Sequence, residues 1–475
     1  MKKNVLAVVM STAMAAALLA GCGGSASSSS ASSSSAAGSE TAAVSEAASA
    51  GSGSGSVYML NFKPETDGQW QDLAAAYTKK TGVPVTVVTA ASGTYDTTLT
   101  SEMSKSEAPT IFNIGNSAAA QTWDDYTMDL KDSALYKHLT DKSLVVDYNG
   151  KTAAVANCYE CYGIIYNKTI LQAYCDKYKD AVIKSPEDIK DLDTLEKVAA
   201  DINSHVDAIN KACGTELTEA FASAGLDDGS SWRFSGHLAN LPLYYEFKDD
   251  GCDLLAGEAT IKGKYLDNYK KVWDMYVKDS AADPGTLDSG SYNAESELGM
   301  GEAVFYQNGD WEFSGLTDSA NGYTVKAADL DMMPIYFGVD DANEGLCIGT
   351  ENYWAVNSKA SKENIDASLA FLEWVITSDE GRDSITNKMG LSAPFDTFTD
   401  KYASANPFKQ TAAKMMNEGK TSIAWSFNAT PNVDDWRKGV VSALTDYTKG
   451  TGKWDAVKTA FVTGWSDQWK LAHEK

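Results

Sequence analysis

The chain has 475 residues, with 65 acidic against 40 basic side chains and a formal net charge of −25. That length allows two or three domains with substantial cores, and that charge argues against nucleic acid as a partner, because phosphate needs cationic counter-charge. The arginines are Arg233, Arg382 and Arg437 alone, which disfavours an anionic ligand, since such ligands are usually gripped by guanidinium groups.

In chain order, residues 1–21 read as a secretory signal. Lys2 and Lys3 precede an apolar run that ends at Leu19-Ala20-Gly21, just before Cys22. The run is too short for a membrane span. Leu-Ala-Gly-Cys resembles the bacterial lipobox, which implies that Cys22 is acylated and holds the protein at the extracellular face of the cytoplasmic membrane. Residues 22–56 are the acylated cysteine and a Ser/Ala/Gly-rich tether, which would span roughly 30 Å as a random coil.

The body opens with a strand over 57–62 and a helix carrying Trp70, Leu73 and Tyr77 at helical spacing, closed by Gly82. VPVTVVTA (83–90) predicts a strand buried on both faces. A helix with Leu99 and Met103 and a strand over 108–115 follow, a strand–helix alternation that predicts an α/β architecture with a parallel sheet. Tyr95 either starts that second helix or caps a cleft. Ser185-Pro186-Glu187-Asp188 reads as a helix start. LCIGTENYWAV (346–356) returns to strand character, Ile365, Leu369, Leu372 and Ile376 stripe a helix, and helices fill the chain from Asp434 on. Trp70 and Trp374 fall on apolar helix faces and read as core.

There is no GxxxxGK[ST] phosphate loop, no HExxH and no GxSxG elbow, and the histidines at 138, 205, 237 and 473 are far apart. No cofactor or metal is called for. Cys158 and Cys161 form a CxxC, but cysteines three apart on an extended strand are about 10 Å apart, beyond disulfide reach. No second cysteine or histidine pair completes a zinc site. Both therefore read as small apolar fillers. Among the six body cysteines, Cys213 and Cys252 flank one segment and are the favoured disulfide pair.

Four segments resemble one family. They are Glu160-Cys161-Tyr162-Gly163-Ile164-Ile165-Tyr166-Asn167-Lys168; Gly301-Glu302-Ala303-Val304 through Asn308-Gly309-Asp310-Trp311; Phe371-Leu372-Glu373-Trp374 with Ser378-Asp379-Glu380-Gly381 and Gly390; and Thr430-Pro431-Asn432. In this order the chain resembles the extracellular solute-binding lipoproteins of carbohydrate ABC importers related to maltose-binding protein. The resemblance implies a type II, two-lobe periplasmic-binding-protein-like α/β fold whose discontinuous lobes (57–158 with 347–392, and 163–343 with 396–475) are joined by hinge strands. It also implies a monomer that captures a carbohydrate, an oligosaccharide, closes on it by hinge motion and hands it to a permease and ATPase that are separate chains. No catalysis is implied.

By family position, Trp311 is a stacking platform with Asp310 and Asn308 at the sugar's edge, and Glu160 accepts sugar hydroxyls at the first crossing beside Tyr159. Glu351 and Asn352 fall where the second crossing passes the cleft. Loop positions add Trp232 and Arg233, Asn116, Lys63 and Glu65, and Trp425 before the last helices. Aromatic planes with polar edges suit sugar rings. Two other readings stand beside this one. Aromatics with acids also hold a polyamine, and a lipid-anchored glycoside hydrolase would need a carboxylate pair.

Overall fold

A computed structural model describes residues 55–473, apart from 92, 93, 141, 143, 351, 352 and 403. The strands are β1 (Val57–Asn61), β2 (Val85–Thr89), β3 (Ile111–Ile114), β4 (Val145–Tyr148), β5 (Lys151–Ala156), β6 (Glu160–Asn167), β7 (Phe305–Gly309), β8 (Leu330–Met333), β9 (Glu344–Gly349), β10 (Tyr353–Val356) and β11 (Thr421–Ile423). They form two sheets. The first has the order β2-β1-β3-β10-β5-β4, and the second β11-β9-β6-β7 with β8 also on β6.

In the first sheet β1 pairs in parallel with β2 and β3. The helix Asp67–Thr81 between β1 and β2 buries Trp70, Leu73 and Tyr77 and stops at Gly82, whose φ of 77° is a left-handed C-cap. β4 and β5 are joined by Asn149-Gly150 with φ of 51° and 79°. Two positive φ values match the twist of a two-residue hairpin, which is why Asn-Gly occurs there. β2 departs from expectation. It is an edge strand in which only Val87 is buried, so its β-branched run reflects strand preference rather than cover on both faces.

In the second sheet β6 is the centre. β7 lies along one edge, while β9 and β8 share the other, β9 beside Glu160–Tyr162 and β8 beside Ile164–Asn167. Gly163 stands at the handover, where a Cβ would lie 2.3 Å from the Met333 carbonyl oxygen. Only glycine lets the three strands close up there.

Two crossings between the sheets run side by side. β5 ends at Ala156, paired with Tyr353 of β10, and β6 begins at Glu160, paired with Gly349 of β9. The ribbon thus passes from one sheet into the other through Asn157–Tyr159 on one strand, with Thr350 following β9 on its neighbour. A third crossing runs beside them. Tyr159 N–H donates to the Ser392 carbonyl at 2.8 Å, and Leu139 bridges Phe395. Pro407–Asn417 then packs as a helix on β6, β8 and β9.

The sheet memberships differ from the lobe boundaries read in sequence. Residues 347–349 belong to β9 and the second sheet, because they pair with β6. Residues 396–402 stay with the first lobe, since Asp396 N–H donates to the His138 carbonyl and Arg382 holds the Thr397 carbonyl at 2.7 Å.

Three further expectations change. Ser185–Asp188 forms a capping box around a single 3₁₀ turn, Pro186–Asp188, and the helix proper is Leu192–Ser204 with Asp191 as its N-cap. Tyr95 begins its helix and is buried, accepting the Asn113 N–H at 2.6 Å. Cys213 and Cys252 are both free, and the Cys213 thiol instead lies 3.4 Å from the Ala173 carbonyl. Cys158 and Cys161 are buried and free. Trp70 lies edge-on to Trp354, and Trp374 packs on Tyr77 and Phe371, in the first-lobe core. No described helix is long and apolar enough to cross a membrane.

Glu344, at the start of β9, is 3% exposed. Its Oε1 accepts the Tyr245 hydroxyl at 2.8 Å, while Oε2 is buried without a partner. Burial pushes this carboxyl up to about 9. Stability from a raised carboxyl is full below its unfolded value near 4.5 and is lost as pH climbs towards 9. Glu344→Gln removes that loss. Urea unfolding is expected to find the variant more stable than the parent by about 1–2 kcal/mol at pH 8, with the advantage gone near pH 4.5. A difference independent of pH would show that Glu344 is ionised in the fold.

Candidate ligand-binding site

β7 and β9 run antiparallel to β6, so their C-terminal ends lie beside its N-terminal end. Gly309 pairs with Tyr162 and Gly349 with Glu160. The residues after Gly309, those after Gly349, and Glu160 therefore converge at the junction of the lobes.

Trp311 follows β7 and is half-buried. Its ring lies over Gly309, where a Cβ would stand 2.2 Å from the indole. Asn308 holds the ring in place. Its Oδ1 accepts from Trp311 Nε1 at 3.0 Å and from the Gly309 N–H at 2.9 Å, and its Nδ2 donates to the Tyr306 hydroxyl at 2.8 Å. Trp232 stands 6.1 Å from Trp311, centroid to centroid, with Nε1 donating to the Gly229 carbonyl at 2.8 Å.

His237 packs against both indoles, is stacked on Tyr162 at 4.1 Å and 8°, and also contacts Trp425 and Phe427. Burial, with Arg437 and Arg233 nearby, holds the imidazole well below its usual pKa, so it is neutral. His237 and Arg233 sit on a π-helical segment, Arg233–Leu238, that leads into the helix Ala239–Asp250. Pro242 in that helix cannot donate back to residue 238, and the widened turn accommodates this. The Arg233 guanidinium lies 4.4 Å from the Trp232 ring and 5.7 Å from the Tyr306 ring. The result is a box of aromatic planes with a guanidinium edge.

From the first lobe, Lys63 reaches across the junction. Its Nζ is 2.8 Å from Glu160 Oε1, an ion pair with 14% and 11% of the two side chains exposed. The loop carrying Lys63 is fixed by Asn61, whose Nδ2 donates to the Lys63 carbonyl at 2.8 Å, and by the Thr66 hydroxyl. Asn116 caps the helix Ser117–Thr122 through the Ala119 N–H and also donates to the Asn428 carbonyl of the other lobe at 3.3 Å. An interlobe cavity of about 930 Å³ is walled by Asn116, Tyr159, Thr350, Phe395, Trp425 and Asn428. Trp425 belongs to both box and cavity.

The Lys63–Glu160 ion pair spans the crossing, Asn116, Tyr159 and Trp425 wall the interlobe cavity, and Trp311, Trp232 and Arg233 form the second-lobe box that Trp425 joins through His237. Several positions differ from the sequence reading. Asn308 is 1% exposed and its amide is spent on Trp311, Gly309 and Tyr306, so it orients the platform rather than presenting an edge group. Asp310 is buried too. It faces Lys409 at 3.5 Å and the Cys161 N–H at 3.3 Å. Trp425 is 2% exposed, with Nε1 buried and unpaired. Glu65 lies in the turn Pro64–Thr66, and its side chain is outside the described residues, as are Glu351, Asn352 and Cys22. Sequence reasoning missed His237, Phe427 and Lys409. A lone histidine in SGHL carries no local signal, and each of the three is defined by partners more than 70 positions away. Among the described residues no His, Cys, Asp or Glu cluster has the arrangement of a metal site.

A two-lobe α/β body with paired crossings is the architecture of hinged binding proteins. A family model described as bacterial extracellular solute-binding protein matches residues 72–417, well over half the chain, and the chain belongs to that family. A search of curated proteins finds no match. Among solved structures the chain is similar to RafE from Streptococcus pneumoniae in its apo form, at 16% identity and a TM-score of 0.64, covering 89% of this chain and 100% of that one. It is also similar to a family 1 extracellular solute-binding protein from Bifidobacterium longum subsp. infantis, at 17% and 0.62 over 88% and 100%. A third is the GacH receptor of Streptomyces glaucescens, at 17% and 0.59 over 89% and 100%. The fold is thus the type II, two-lobe periplasmic-binding-protein-like fold.

Proposed function

We propose that this protein captures an extracellular carbohydrate, an oligosaccharide, between its lobes and delivers it to an ABC importer by hinge closure. The observation that carries this reading is the aromatic box, in which Trp311 and Trp232 are only partly buried and pack through His237 towards Trp425, which also walls the interlobe cavity. Flat C–H faces of sugar rings stack on such planes, and Glu160, Lys63, Asn116, Tyr159 and Arg233 offer hydroxyl partners around them. Glu351 and Asn352 remain proposed contacts from the second crossing. The interlobe cavity suits a ligand longer than one ring. Structural neighbours support the class. RafE has been solved with raffinose and GacH with acarbose, and another neighbour is a chitin oligosaccharide binding protein.

A ligand that touches both lobes stabilises the closed state by its differential affinity. Permease and ATPase are then separate chains, the binding protein is a monomer held through acylated Cys22, and no bond is made or broken. A polyamine fits less well, because Arg233 and Arg437 flank the box and would repel an ammonium group.

The test is a thermal-shift screen of the full chain, purified in a non-glycosidic detergent, against neutral oligosaccharides, monosaccharides and polyamines. Each hit is then incubated and examined for breakdown. A rise of several degrees with oligosaccharides, and no breakdown, is expected. A shift with polyamines alone would overturn the carbohydrate reading, and product formation would make the protein an enzyme.

A further inference from the structure

A smaller pocket, of about 100 Å³, opens in the second lobe beside the aromatic box, and Arg233 is common to both. Its polar lining contains atoms that the fold leaves unpaired. Gln307 Oε1, the Tyr276 hydroxyl and Arg233 Nε are each buried without a hydrogen-bond partner. Gln307 lies on β7 and Tyr276 on the helix Leu266–Lys278, and both are more than nine-tenths buried. Gln307 Nε2 donates to the Arg233 carbonyl at 2.8 Å, which sets the amide orientation and leaves Oε1 as a free acceptor. The Arg233 guanidinium lies 4.4 Å from the Trp232 ring and 5.7 Å from the Tyr306 ring, contacts that satisfy none of its N–H donors. Each unmatched buried polar atom costs about 1–3 kcal/mol, so three around one pocket point to something that pairs them.

The lining restricts what that is. Glu295 and Glu312 share the pocket with one guanidinium, so a carboxylate or phosphate is disfavoured. An ammonium group has no acceptor for Arg233. What fits is a compact neutral group with an acceptor beside a donor and an apolar end for Phe221 and Phe234. An amide bearing a methyl group has these features. The volume is several times what one water needs.

We infer that this pocket takes the acetamido substituent of an N-acetylated sugar unit whose ring stands in the aromatic box. The carbonyl accepts from Arg233 and from the Tyr276 hydroxyl, the amide N–H donates to Gln307 Oε1, and the methyl rests on Phe221 and Phe234. This assignment rests on the carbohydrate reading above and adds the sugar class to it.

Titration calorimetry of the full chain with N,N′-diacetylchitobiose and cellobiose tests it, because the two disaccharides share their linkage and differ in the acetamido groups. The diacetylated sugar is expected to bind at least tenfold more tightly. In Gln307→Leu and, separately, Tyr276→Phe, that preference should fall to threefold or less while thermal melting confirms a folded chain. Equal binding of the two sugars, or binding of neither, overturns the acetamido assignment. So does a preference that both folded variants retain. The carbohydrate reading itself fails only if the wider oligosaccharide screen fails too.

Discussion

Lys409→Met is expected to destabilise the ligand-free protein by about 3–5 kcal/mol at pH 8, the range for breaking one side of a buried ion pair. Lys409 and Asp310 are 5% and 3% exposed. The ammonium lies 3.5 Å from Asp310 Oδ2 and donates to the Gly390 carbonyl at 2.7 Å. It therefore joins the helix Pro407–Asn417 both to the loop after β7 and to the third crossing. Burial pushes the Asp310 carboxyl up to about 6 even with Lys409 beside it. Burial also works against the charge on Lys409, but the carboxylates of Asp310 and Glu160 outweigh it and hold the lysine above its ordinary value.

Removing the lysine leaves the carboxylate with the Cys161 N–H at 3.3 Å and the Cys161 thiol at 3.6 Å. A raised carboxyl contributes most below its unfolded value near 3.8 and loses that contribution as pH rises through its folded value. Without Lys409 the folded value rises further, so the defect should shrink at pH 5 and widen at pH 8. Asp310→Asn in the same chain should recover much of the loss. Urea denaturation at the two pH values measures the parent and both variants. A loss under about 1 kcal/mol at pH 8 would mean that water reaches the pair.

Trp311→Ala is expected to weaken oligosaccharide binding roughly 100-fold, about 3 kcal/mol, as for an aromatic anchor at the centre of an interface. The ring is half-buried, and its one side-chain hydrogen bond is to Asn308, so the ligand-free protein should lose only about 1–2 kcal/mol. Calorimetry with the best ligand of the screen, set beside thermal melting without ligand, separates these effects. Gly309→Ala gives an independent check, because its methyl would displace the ring from its seat and should weaken binding in the same direction. A collapse of ligand-free stability with affinity unchanged would make Trp311 a packing residue.

Local signals in the sequence carried far into the structure. Helical spacing of Trp70, Leu73 and Tyr77, the stop at Gly82, and strands at 57–61, 346–349 and 353–356 all appear in the fold, because each depends on neighbours within a few positions. The same locality misled at 83–90, where β-branched residues mark a strand but not its place at the sheet edge. At 185–188 a strong capping box closes one turn, and the helix waits for Asp191.

The site shows the same division. Glu160 and Trp311 could be singled out from short motifs, and the structure sets both at the lobe junction, but what each touches there was not legible. Lys63 meets Glu160 from 97 positions away and Lys409 meets Asp310 from 99, through pairings that only the sheet registers create. Asn308 and Asp310 flank the same short turn, yet one orients an indole and the other is sealed against a lysine. The sequence by itself determined the elements, their alternation and the presence of aromatic and polar residues at strand ends, since these follow from periodicity and side-chain type. The tertiary structure alone decided which polar groups are already paired and which are left open, because desolvation and hydrogen-bond partnership depend on residues far apart in the chain.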